Sequence, residues 1–187
     1  MTLNSNKFFI EIGSSDFDTL LSLSKRGWSG IIVEPVYELL KNLEPNDNVT
    51  LENCAISDYN GKIDLQYYDP KWANGWTRGV GSISKVNHFN WNPQWNEHVV
   101  KETIECMTLN ELIKKYKVQK IDFLKIDTEG TEYQILNNYN WQIMPSILKV
   151  EHKHWGSHGE DKNKYITFLK DKNYIVYEEE NDLYCIQ

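Results

Sequence analysis

Apolar residues in this chain gather in short unbroken runs instead of alternating one by one with polar neighbours. KFFIEIG (residues 7–13) is the first run, and it ends in Glu11 and Gly13. GIIVEP (30–35) and NVTLENCAI (48–56) are the next two, the former stopped by an acid and a proline. Between them, DTLLSLSKRG (18–27) and VYELLKNL (36–43) carry apolar residues at helical spacing. The order strand–helix–strand–helix–strand predicts a parallel sheet with helices on its faces. Runs that are apolar throughout fit strands buried on both sides.

The rhythm breaks at AISDYNGKIDLQYY (55–68), where Asn60-Gly61 predicts a tight type I′ β-hairpin. Residues 67–98 are irregular and aromatic, with Tyr67, Tyr68, Trp72, Trp76, Phe89, Trp91 and Trp95. Regular structure resumes with VVKETIECM (99–107), and Thr108 with Glu111 predicts a capping box opening the helix LNELIKKY. KIDFLKID (120–127) reads as a fourth parallel strand, and Thr131 with Gln134 offers a capping box to the helix EYQILNNY. SILKVEHKH (146–154) is a fifth strand, NKYITFLKDKN (163–173) a last helix, and YIVYEEENDLYCIQ (174–187) a strand pair turning near Asn181-Asp182. With no repeat, low-complexity tract or linker, residues 1–187 are expected to form one α/β domain, with 67–98 as a substrate-side insert.

Composition narrows the function. The 187 residues are 40% hydrophobic, enough for one domain with a real core. A net charge of −7 gives no general attraction to phosphate backbones or anionic lipid, so neither nucleic acid nor a membrane is an expected partner. The start, MTLNSNKFFIEIG, lacks the basic stretch and long apolar run of a signal peptide. Cys54, Cys106 and Cys185 are scattered in apolar stretches and read as reduced core residues, which leads to an expectation of a cytoplasmic protein.

In open α/β sheets ligands sit at the carboxyl ends of the strands. There Gly13 lets the backbone approach a ligand, while Ser14 and Ser15 offer hydroxyls. Glu34, beside Pro35, lies 34 − 13 = 21 residues further on, about where an acid reaches both hydroxyls of a ribose. Ala55 and Ile56 suit an adenine face. Gly13 is followed by Ser15 and Phe17, so the G-x-G-x-x-G of pyrophosphate sites is missing and NAD or FAD is disfavoured. S-adenosylmethionine, leaving as S-adenosylhomocysteine, asks less of that loop and is the expected cofactor.

Acids also crowd FLKIDTEGTE (123–132), where Asp127, Glu129 and Glu132 follow a buried-looking run. Glu132 fits a first-turn acid favoured by the helix dipole. His152, His154 and His158 fall in or beside HKHWGSHGE, at no spacing known for a structural zinc site. In the insert, Trp72, Trp76, Asn74 and Arg78 suit a sugar, through aromatic stacking and hydrogen bonds to hydroxyls. They equally suit an aromatic cluster of the insert's own, or an oligomer contact.

The segments FIEIG, GIIVEP, NCAISDYNGKIDL, VGSIS, TLNELI, IDFLKIDTEGTEYQIL and LKVEH, in this order, resemble the FkbM family of methyltransferases over nearly the whole chain. The resemblance implies a Rossmann-like class I methyltransferase fold, a mostly parallel seven-stranded sheet of order 3-2-1-4-5-7-6. It implies O-methylation of a sugar, glycan or small secondary-metabolite hydroxyl. Carried over by position, Glu11, Gly13 and Glu34 fall in the cofactor site, with Ala55 and Ile56 toward the adenine. Asp127 and Glu129 fall at the end of strand four, Glu151 and His152 at the end of strand five. Asp127 and His152 are then the two candidates for general base, and Asp127 also faces the cofactor. Glu129, Glu151 and His154, with Trp72, Trp76, Arg78 and Ser82 of the insert, are the expected acceptor contacts. A divalent metal on Asp127 and Glu129 is considered but not favoured, because nothing else completes an oxygen-rich ligand set; no metal site is expected.

Two departures stand out. Phe17 occupies a position where relatives carry a glycine, and many relatives have a segment before the first strand. A more open site, or one closed by another subunit of a homo-oligomer, is the expectation. Two further readings compete with catalysis of this kind: a cofactor-binding assembly domain without turnover, and a nicotinamide-dependent oxidoreductase.

Overall fold

The computed structural model describes residues 7–17, 19–83, 89 and 92–187. Trp91 and the opening MTLNSN lie outside the described residues, as does the side chain of His158.

Five apolar runs form strands of one sheet: β1 (Phe8–Ile12), β2 (Ser29–Val33), β3 (Val49–Glu52), β8 (Phe123–Ile126) and β9 (Ile147–Glu151). The hairpin of β10 (Ile175–Glu179) and β11 (Asp182–Ile186) completes it, in the order β10-β11-β9-β8-β1-β2-β3. Numbered by their sequence within this sheet, the strands run 3-2-1-4-5-7-6. The sheet is mixed: β3, β2, β1, β8 and β9 pair in parallel, while β11 is antiparallel to both β9 and β10.

Successive side chains point to opposite faces, so β1, β2 and β8 each feed two cores. Ile10, Ile12, Leu124, Ile126, Leu148 and Val150 face the helices α2 (Leu109–Lys115), α3 (Glu132–Asn138) and α4 (Lys162–Asp171). Phe9, Ile32 and Val49 face the other way, against Leu40 of α1 (Tyr37–Leu40) and the leucines of a 3-10 helix at Leu20–Arg26. That 3-10 helix stands where an α-helix is expected. Its first turn is drawn onto Glu11, whose Oε2 accepts from the Thr19 hydroxyl (2.5 Å) and the Leu20 amide (2.8 Å).

One charged pair is fully buried within this sheet. Glu11 and Lys125 are register partners on β1 and β8, with Nζ and Oε1 3.1 Å apart and both side chains buried. Gly30 is likewise dictated by its partner, since a Cβ there would lie 2.5 Å from the Phe9 ring.

Three local expectations are corrected. NVTLENCAI is two strands, because the Asn53 side chain donates to the carbonyls of Glu34 and Pro35 (both 2.9 Å) and pulls the chain off the sheet. The continuation, β4 (Ala55–Ser57), joins a second sheet of order β4-β7-β5-β6, with β5 (Gly61–Tyr68), β6 (Gly81–Ser82) and β7 (Val99–Thr108). Asn60-Gly61 is consequently no hairpin turn. It crosses the end of β7, which pairs with β4 on one side and β5 on the other; only Gly61 has positive φ (146°), and Asn60 Oδ1 accepts from the Thr108 amide at 2.9 Å. The Thr131–Gln134 capping box is also absent: Thr131 donates to the Thr128 hydroxyl and Gln134 to Glu160. At α2, by contrast, Thr108 Oγ1 accepts from the Glu111 amide as expected (3.1 Å).

All three cysteines are buried and unpaired. Among the described residues no helix is long and apolar enough to cross a membrane.

Removing one partner of a buried ion pair leaves an uncompensated charge and costs about 3–5 kcal/mol. Lys125→Met is expected to lose that much in denaturant unfolding, and Glu11→Gln with Lys125→Met to regain most of it. A double variant no more stable than Lys125→Met would refute the pairing as the cause.

Candidate functional site

The carboxyl ends of β1, β2 and β8 open onto one cleft, and the first turn out of β1 shapes it. Gly13 has φ +77°, and a Cβ on it would lie 1.7 Å from the Asp127 carbonyl oxygen, so no other residue can pass there. The turn is pinned on both sides, Gly13 N donating to Val33 O (3.0 Å) and Asp127 N to Ile12 O (2.9 Å). Ser15 follows, also at positive φ (50°). Its amide donates to Glu34 Oε2 (2.7 Å), while the Val36 amide donates to Oε1 (2.9 Å). Two backbone donors thus aim the Glu34 carboxylate, and burial pushes its pKa up to about 7.

Gly13, Ser14, Ser15, Glu34, Pro35, Ala55 and Ile56, all expected at a cofactor, do line this one cleft, together with Asp127 and Glu129. Glu11 does not. It lies one pleat below, holding Lys125, which does line the cleft. Burial raises Asp127 to about 6, Lys125 pulling against it and Glu129 adding to it.

The insert forms the opposite wall through Trp76, Arg78, Gly79, Val80 and Gly81, and Phe17 stands at the mouth with its ring against Gly79. Trp72 is elsewhere, stacked on His98 at 4.3 Å between rings and packed against Tyr68 and Trp95. Arg78 is committed. It donates to both Asp16 oxygens and to Pro70 O (2.7 Å), and these bonds hold the Asp16 carboxyl below its usual range.

A second group gathers beside Asp127, where β8 and β9 end. Glu129 sits at φ 55°, its carbonyl accepting from the Ser82 hydroxyl (3.1 Å) and its Oε2 lying 3.1 Å from His154 Nε2. One ligand atom each from Glu129, Glu151 and His154 lie within 4.8 Å of one another. This is not the Asp127–Glu129 set weighed from the sequence: Asp127 is not part of it, and Glu151 at the end of β9 and His154 in the turn that follows join Glu129 instead. Burial, reinforced by Glu129 and Asp127, pushes Glu151 up to about 9. Glu151 and Asp127 also line an adjoining polar cavity with Lys149 and Asp182, themselves paired at 3.0 Å. Glu132 is the first-turn acid of α3 as expected, and it is fully buried: its Oε1 accepts from the amides of Thr128 (2.8 Å) and Gly130 (3.0 Å), tying the turn itself.

His152, expected to share the role of base, is not among the residues lining either cavity. Its Nε2 faces Glu178 Oε1 at 3.5 Å, its ring lies edge-on to Trp155, and burial lowers its pKa. Among residues that sequence reasoning missed, Lys125 had a legible signal: in FIEIG and FLKID the single charge stands two positions before Gly13 and Asp127 alike. Asp16 had none, since its partner is 62 residues away.

A cleft at the carboxyl ends of parallel strands, in a mixed sheet with an antiparallel hairpin at one edge, is consistent with an α/β protein of the methyltransferase type. The family model of the methyltransferase FkbM domain matches residues 8–176, and the chain belongs to that family. No curated protein and no solved structure matches it.

Glu34 provides a test in the protein alone. Its carboxyl titrates near 7 when folded against 4.5 ordinarily, so the folded state holds the proton more tightly in between. Its contribution is full below about 4.5 and falls as pH rises toward 7. Melting temperature against pH is expected to slope less across that window in Glu34→Gln than in wild type; equal slopes would assign the titration to other groups.

Proposed function

We propose that the protein is an S-adenosylmethionine-dependent O-methyltransferase acting on a hydroxyl of a sugar, glycan or small secondary metabolite. The observation that carries this reading is the meeting of the Gly13–Ser15 turn, the aimed Glu34 carboxylate and buried Asp127 in one cleft. The donor set fits the cofactor. Glu34, with two oxygens fixed by amides, keeps lone pairs for ribose hydroxyls; Val33, Leu39, Ala55, Ile56 and Leu65 make an apolar slot for adenine. When bound, S-adenosylmethionine supplies a methyl group from a sulfonium to the acceptor oxygen.

The chain's own residues do the rest. Holding an oxygen in line with the methyl group supplies most of the acceleration in such a transfer. Asp127 takes the acceptor's hydroxyl proton as the carbon–oxygen bond forms. A carboxyl near 6 is largely ionised at neutral pH and closer than an ordinary aspartate to the value that suits a general base. Trp76, with 56% of its surface exposed, and Phe17, with 45%, offer flat apolar faces at the mouth where a sugar ring can stack. Arg78 serves the acceptor only indirectly, by tying the insert to the cofactor loop through Asp16.

The test is calorimetry with S-adenosylmethionine and S-adenosylhomocysteine, with NAD as the control. Binding of the first two near micromolar, roughly −8 kcal/mol, is expected, with loss in Glu34→Ala. Binding of NAD in their place, or of none, would overturn the reading. With an acceptor in hand, Asp127→Asn is expected to cut kcat by about 10²–10⁴ while leaving cofactor affinity within a few-fold.

A further inference from the structure

We propose that Glu129, Glu151 and His154 form a binding site for one divalent cation, at the edge of the cleft where β8 and β9 end. The donors are Glu129 from the turn after β8, Glu151 from the last position of β9 and His154 from the turn after β9, and their ligand atoms lie within 4.8 Å of one another. Around an ion with bonds of about 2.1 Å, neighbouring ligand atoms stand about 3.0–3.4 Å apart. Glu129 Oε2 and His154 Nε2, at 3.1 Å, already hold that spacing. The Glu151 ligand atom stands within 4.8 Å of both, on the third side.

The surroundings are built for a ligand. His154 is 93% buried by its 7% exposure, so its imidazole is a fixed donor rather than a waving surface group. Glu129 is held in the left-handed region and anchored by the Ser82 hydroxyl, a backbone cost that proteins keep where a side chain must be aimed. Glu151 Oε2 is buried and has no hydrogen-bond partner among the described residues. A buried oxygen left without a donor is costly unless something else satisfies it, and a cation does so. Access exists as well, since Glu151 lines the polar cavity that adjoins the cleft.

Donor chemistry selects the ion. Two carboxylates with one imidazole suit manganese or zinc rather than calcium, which prefers oxygen alone. Three protein ligands leave positions for an acceptor hydroxyl, whose proton an ion would make easier to remove. That use of the ion rests on the methyl-transfer reading; the binding of the ion does not.

The probe is Mn²⁺ alone, titrated into the chelator-treated full chain and followed by the electron paramagnetic resonance signal of the free ion. One Mn²⁺ per chain is expected, displaced by Zn²⁺, with affinity reduced at least tenfold in Glu151→Gln and in His154→Ala. Glu178→Gln, which alters a carboxylate paired instead with Lys162, is expected to bind as wild type. Thermal unfolding checks each variant, and if His154→Ala does not fold, the near-isosteric Glu151→Gln decides. No binding by wild type below millimolar, or undiminished binding by Glu151→Gln, would overturn the site. A chain that binds Mn²⁺ but not S-adenosylmethionine would sink the methyl-transfer reading and leave the cation site standing; the reverse result would do the opposite.

Discussion

How closely β1 is allowed to pass the end of β8 governs everything at the ligand end of this protein. Gly13 runs so near the Asp127 carbonyl that a single added carbon would overlap it. Two residues earlier, on the same face of the same strands, Glu11 and Lys125 are locked as register partners. The ion pair and the glycine contact therefore act together: one holds the register and the other fixes the separation. A slip of one residue would turn every side chain to the opposite face and put Asp127 out of the cleft. It would also bury Glu11 without Lys125, which is why the charged pair specifies an arrangement that apolar partners alone would leave freer to slide.

From that fixed point the two turns leave in unusual backbone states. Ser15 and Glu129, neither of them glycine, both lie at positive φ. In each case a neighbouring carboxylate secures the bend, Glu34 accepting from the Ser15 amide and Glu132 from the amides on either side of Glu129. Acids that crowd the edge of the core thus divide into those that hold the turns and those that the turns present. Glu132 belongs to the first group, Asp127 and Glu129 to the second, and Glu34 does both.

Hydrophobic runs are what made much of this readable from the sequence. A strand buried on both faces cannot hide its pattern, and β1, β2 and β8 are buried that way, with the ends where Gly13, Glu34 and Asp127 stand; β3 and β9, expected to be the same, keep one face partly exposed. What stayed hidden depends on partners distant in the chain. The break after β3 is set by Asn53 reaching back to β2's end, and the fate of Asn60-Gly61 by β7, more than 35 residues on. His152 read as a base because it ends a strand. Strand ends alternate in facing like the strands themselves, and here the pleat gives the cavity to Glu151 and turns His152 toward Glu178. The Glu129–Glu151–His154 group was invisible for a related reason: its members come from the turn after β8 and from the end of β9 and its turn, which only the sheet order brings together.

The aromatic insert resolves into two populations with one logic. Trp72, Trp95, Tyr68 and Phe89 pack on one another and give a segment with little regular structure a core of its own. Such a core is needed, because 3-10 turns and a two-residue strand make too few backbone bonds to order it. Trp76 stands on that foundation, in contact with Trp95, while leaving more than half of its surface to solvent. An indole left exposed while lining the cleft, as Phe17 also is at 45%, forgoes the burial open to its neighbours. The Arg78–Asp16 pair then carries the position of this wall to the loop that bends around Glu34. The insert's wall of the cleft and the Gly13–Ser15 turn are in that way one mechanical unit, so a change in either is felt by both.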